Sequence, residues 1–178
     1  MVFSSVRRRL QGSFEHALDE IARRGSWWGG GTVAAFSAAL AAALAEKLAA
    51  QPSFRRRLHR IRQSCLKLGQ ADADAFADVI RATRSGSRRA FARSLKAATE
   101  VPYDVLGHAR TIEDACRRLE REVRPQYRSD LRCASALARA AGASARGFID
   151  TNLAWLRDPG YARRMRRRVA AAVRPHAG

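Results

Sequence analysis

From Thr32 to Ala50 the chain runs without a glycine or proline and is dominated by alanine. Alanine has the highest helix propensity and no side-chain entropy to lose, so this stretch predicts a helix. Its side chains are also small, so whatever packs against that helix must approach closely. No other segment alternates strictly between apolar and polar residues, β-branched residues are few, and no Asn-Gly or Asp-Gly pair marks a hairpin. The predicted fold class is therefore all-α, a single-domain helical bundle around one long Ala-rich helix. No internal repeat is evident.

The remaining elements follow from punctuation. Ser13 is placed to cap a short helix with Phe14, Leu18, Ile21 and Ala22 on one face, ending near Gly25. The Ser26-Trp27-Trp28-Gly29-Gly30-Gly31 segment is a break, and Pro52-Ser53 restarts the chain. Phe54 to Arg84 keeps a helical rhythm, as one long helix or as two with a bend at Gly69. Ser85-Gly86-Ser87 interrupts before a helix over Arg88 to Thr99, and Val101-Pro102 predicts a break or kink ahead of a further helix from Tyr103 to Glu122. After Pro125, Ser129-Asp130 is read as the cap of an Ala-rich helix reaching Leu156, and a basic helix follows from Tyr161 to Val173. The expected organisation is a basic tail over residues 1–12, a helical domain over 13–173 and a short tail over 174–178.

With 34 Lys+Arg against 16 Asp+Glu, the 178 residues carry a formal charge of +18. Such a surface attracts nucleic acid, an acidic membrane or an anionic metabolite without choosing among them. The runs Arg7-Arg8-Arg9, Arg55-Arg56-Arg57 and Arg163 to Arg168 lack interleaved aromatics and any helix-turn-helix pattern, so they read as solvated faces, with weak or no nucleic-acid binding. Three widely spaced cysteines, Cys65, Cys116 and Cys133, argue against a disulfide framework, and four scattered histidines argue against a metal site. The apolar run from Val33 to Ala45 is shorter than a spanning helix needs, and the opening residues lack a signal-peptide pattern, so the expectation is a cytoplasmic protein with no membrane association.

Two features could carry chemistry. Gly29-Gly30-Gly31-Thr32 opens the Ala-rich helix, where backbone N–H groups unobstructed by side chains can hold an anion or carbonyl. The same glycines read equally as a turn that permits positive φ. The segment is not a nucleotide P-loop, since Gly31 stands where that motif requires lysine. Asp72, Asp74 and Asp78 form the second feature. They serve either to solvate a helix in a basic chain or, in the case of Asp72 with Phe76 one turn later, to place a carboxylate in a cleft where burial raises its pKa for acid–base work. Trp27-Trp28 reads as a core plug or subunit contact, or as a platform for a planar heterocycle.

In order along the chain, Trp28-Gly29-Gly30-Gly31-Thr32-Val33-Ala34-Ala35, Asp72-Ala73-Asp74-Ala75-Phe76, Ala98-Thr99-Glu100-Val101-Pro102 and Ser129-Asp130 with the following helix to Asn152-Leu153 resemble the motifs of the cyclodeaminase/cyclohydrolase family. That resemblance implies an all-helical, homodimeric enzyme binding a folate near the glycine-rich helix start. Its members expel ammonia from 5-formiminotetrahydrofolate or hydrolyse the 5,10-methenyl bridge. It also implies Asp72 as the catalytic group, and Gly29, Gly30, Gly31, Thr32, Arg55, Arg56, Ser129, Asp130 and Asn152 as substrate-binding residues. The substrate is a tetrahydrofolate derivative, with no metal or further cofactor. Trp28 stands where the family has proline, Phe148 stands where it has an asparagine, and the Arg84 to Arg88 loop is short. A non-catalytic helical interaction or nucleic-acid-binding module of the same descent is the alternative.

Overall fold

A computed structural model describes residues 14–173, so the expected tails and the Ser13 cap lie outside the described residues. Helix α1 spans residues 14–22. It is followed by α2 (Gly30–Leu48), α3 (Pro52–Arg84), α4 (Arg88–Leu119), a 3-10 turn (Pro125–Tyr127), α5 (Arg128–Leu156) and α6 (Pro159–Ala172). No strand occurs among the described residues.

Helices α2 to α5 form an antiparallel bundle in which each packs on the next and α5 closes back onto α2. The alanines of α2 explain its central place. Ala35, Ala38, Ala41, Ala42 and Ala45 are fully buried, and their single methyl groups let α4 reach α2 across the diagonal as well as α3 and α5 along the sides. By length and composition α2 would also suffice to cross a membrane. Here its alanines belong instead to the same core as Leu58 and Cys65 of α3, Ile112 and Leu119 of α4, and Ile149 of α5.

Gly69 does not divide α3, which is continuous over 33 residues. Its missing side chain makes room for a neighbour: a β-carbon there would lie 2.3 Å from the Phe36 ring of α2. Of the break or kink expected at Pro102, the break does not occur: α4 runs through it for 32 residues. Proline at 102 leaves the carbonyl of Ala98 without its i+4 donor. The side-chain amide of Asn152 on α5 donates to that carbonyl at 3.4 Å, so the gap in the helix is bridged from a neighbour.

Ser129 and Asp130 are not the caps of α5. The helix already starts at Arg128, with Tyr127 in the cap position and no side-chain cap bond, and Asp130 in its first turn pairs with Lys47 at the end of α2, 2.8 Å away. Helix α5 ends at Arg157, whose φ of 52° turns the chain into α6. Asp158 then caps α6 by accepting from the Tyr161 N–H at 2.9 Å. Helix α6 seats Ala162, Met165 and Val169 on the bundle. It is tied to α4 through Glu100, which accepts from the Tyr161 hydroxyl at 3.1 Å and pairs with Arg168 at 2.8 Å.

Candidate active site

A cavity of about 300 Å³ opens where the start of α2, the middle of α3, the Pro102 region of α4 and the last turns of α5 meet. The chain connecting α1 to α2 forms its lip. Ser26 sets that lip, accepting from the Trp28 N–H at 3.0 Å and donating to Glu20 at 2.8 Å. A hydrogen bond from Arg23 holds the Glu20 carboxyl down at about 2. Trp27 meets the Phe76 ring edge-on at 6.1 Å, while Trp28 turns the other way and packs on Phe36 at 5.4 Å. Of the tryptophan pair, only Trp27 therefore faces the cavity.

Among the described residues, Asp72 is the one charged residue in the lining. It reaches from α3 to the first turn of α2, where its Oδ2 accepts from the Thr32 hydroxyl at 3.1 Å and a backbone bond from Thr32 adds to this. The same hydroxyl lies 3.2 Å from the Gly69 carbonyl. The glycine in the cap position of α2, Gly29, has no side chain to offer the helix start. A carboxylate from the neighbouring helix takes that role, where the positive end of the α2 dipole favours it. Burial nevertheless dominates and raises the Asp72 pKa above the ordinary aspartate value, the Thr32 bonds offsetting only part of the effect.

Two of the three glycines lie in close contact with side chains of other helices. A β-carbon on Gly31 would stand 2.2 Å from Asp72 Oδ1, and one on Gly30 would stand 2.6 Å from the tip of the Phe148 ring, whereas one on Gly29 would meet nothing within 4 Å. Gly31 thus lets the carboxylate lie against the helix start. From α5, Phe148, Thr151, Asn152 and Trp155 share one face at helical spacing and form the opposite wall.

The formiminotransferase-cyclodeaminase family profile matches residues 13–171. The chain belongs to that family. A formiminotetrahydrofolate cyclodeaminase from Thermotoga maritima has the same fold, with a TM-score of 0.82 and 23% sequence identity over 89% of this chain and 86% of that one. No curated protein matches the sequence.

Within this family member, the structure brings Gly29, Gly30, Gly31, Thr32, Asp72 and Asn152 together at the cavity. It places the other four expected residues elsewhere. Arg55 and Arg56 sit in the first turn of α3, about 25 Å along that helix from Asp72. Ser129 and Asp130 open α5, about 33 Å of helix from Asn152. All four lie at the end of the bundle remote from the cavity, because α2 and α4 also have their C-terminal ends there. The arginines of α6 are exposed and none lines the cavity. Sequence reasoning missed Phe148, Thr151 and Trp155, although their spacing around Asn152 was a usable signal, and it missed the pairing of Asn152 with Ala98.

Proposed function

We propose that this cavity binds the one-carbon-substituted bicyclic end of a tetrahydrofolate and that Asp72 moves the proton that its one-carbon chemistry requires. Membership of the formiminotransferase-cyclodeaminase family supports the substrate. The observation that carries the role of Asp72 is a half-buried carboxylate, the one charged group among the described residues of a largely apolar and aromatic cavity, with one oxygen held by Thr32. Closing a methenyl bridge from a formimino group requires a proton to reach the departing ammonia. Opening the bridge with water requires one to leave the attacking oxygen. Burial raises the pKa of Asp72, so it holds a proton more readily than an ordinary aspartate, which suits a group that must both give and take one. Thr32 fixes the carboxyl plane, and Asn152, anchored on Ala98, holds the wall opposite.

The purified chain is assayed with 5-formiminotetrahydrofolate for ammonia release and with 5,10-methenyltetrahydrofolate for loss of methenyl absorbance. The proposal requires catalysis above the spontaneous rate in one of them. Spontaneous rates in both would defeat it.

A homodimer belongs to the same proposal. Val33 and Leu40 point to solvent from α2, and a groove between α2 and α5, lined by Ser37, Ala140 and Ser144, continues from Gly30 and Phe148 at the cavity. This strip is apolar and free of arginine, unlike the outer faces of α3 and α6. Sedimentation equilibrium tests it: a dimer that Leu40→Glu converts to monomer supports the assignment, and a wild-type monomer overturns it.

A further inference from the structure

The charge of the cavity runs against the charge of the chain. The protein carries +18 overall, yet among the described residues the cavity lining includes no lysine, arginine or histidine, and its single charged side chain is Asp72. Around that carboxylate stand four aromatic rings, Trp27, Phe76, Phe148 and Trp155, all at least a third exposed and so presenting ring faces and edges to whatever enters. The start of α2 brings roughly half a positive charge to the same place, which reduces but does not cancel the full negative charge of an ionised Asp72. Aromatic faces attract cations through their quadrupole, and a planar delocalised cation gains from stacking as well. A carboxylate beneath such a ring of aromatics suits a flat amidinium-type cation, whose N–H edge or electron-poor carbon can meet the free oxygen while its faces lie against the rings.

We infer that the cavity selects a planar, delocalised cation over a neutral or anionic ligand of the same shape. The inference rests on the reading of this cavity as the active site and narrows it. The selectivity is opposite to that of the surface as a whole, so a cation gains nothing from the net charge and any preference for it must arise locally.

The test uses an isosteric series that contains no folate: benzamidine, benzamide and benzoate, titrated calorimetrically into the full chain near neutral pH. Benzamidine is expected to bind at least tenfold more tightly than benzamide, and benzoate more weakly than either. Asp72→Asn should bring benzamidine to the affinity of benzamide, and Trp155→Ala should weaken it while circular dichroism shows the fold intact. Equal binding of amidine and amide by the wild-type chain would overturn the inference, and so would tightest binding of benzoate or an amidine preference that survives Asp72→Asn. The wild-type series decides the matter even if a variant fails to fold. Amidine selectivity without folate turnover would leave this inference standing and remove the proposed reaction, whereas turnover without selectivity would do the reverse.

Discussion

Gly31 and Asp72 are in mutual contact across two helices: a β-carbon on the glycine would lie 2.2 Å from Oδ1 of the carboxylate. The helix start and the candidate catalytic group are thus one structure, and a side chain added at Gly31 is felt at Asp72. Gly31→Ala forces the carboxyl away from Thr32 or pushes α2 from α3, an overpacking that costs about 1–3 kcal/mol. The expected result is a lower thermal midpoint together with loss of ligand binding. Gly29→Ala, where the added carbon meets open space, should cost about 1 kcal/mol or less, reflecting only the poorer cap. Equal losses from the two variants would show that Gly31 is not held by contact with Asp72.

The bond from Asn152 to Ala98 predicts a coupling. Asn152→Ala leaves the Ala98 carbonyl without a partner at a cost of about 1 kcal/mol in denaturant melts. Pro102→Ala restores the backbone donor to that carbonyl, so the cost of Asn152→Ala should shrink markedly in that background. Strict additivity in the double-mutant cycle would mean that Asn152 does not compensate for the proline.

Tyr161 makes the attachment of α6 sensitive to alkali. Burial, reinforced by Glu100, raises its phenol from 10.0 to about 12. A folded pKa above the unfolded one means that the contribution is complete below pH 10 and is lost as pH rises toward 12. Ultraviolet titration should therefore show a late tyrosine ionisation that Tyr161→Phe abolishes, and the variant's stability should fall less between those pH values. An unchanged titration curve in the variant would contradict the assignment.

Burial of Asp72 fixes the sign of a further pH effect. Its folded pKa is raised, so protonation on acidification relieves a penalty, and this group by itself favours the folded state as pH falls. Asp72→Asn should accordingly hold or increase the thermal midpoint at neutral pH despite losing a charged cap. Activity that needs the carboxylate should fall on acidification at a higher pH than for an ordinary aspartate. Among the described residues, no other titratable side chain lines the cavity to mask this limb. A variant much less stable than wild type at neutral pH would show the Thr32 bonds outweighing burial.

What the sequence disclosed and what it hid follow from range. The alanine run, the glycines before it and the period that puts Phe76 one turn beyond Asp72 are local, and each determines local structure. The break expected at Pro102 does not occur, and the carbonyl its ring leaves without a backbone donor is met by Asn152, some fifty positions away. Arg55, Arg56, Ser129 and Asp130 lie apart from the cavity because order along a chain carries no distance; on antiparallel helices, residues flanking a motif can lie a full bundle length from it. Gly69 looked like a hinge because a missing side chain reads as flexibility until the Phe36 ring that occupies its place is known.

The central claim is that Asp72 acts on a one-carbon bridge in the cavity at the start of α2. The direct measurement is kcat of wild type and Asp72→Asn in the reaction the wild type catalyses, with thermal midpoints taken alongside. The account predicts a fall in kcat of about 10²–10⁴-fold, the usual reach of a general acid–base, with no loss of stability at neutral pH. A stable Asp72→Asn protein that turns over at the wild-type rate would contradict it.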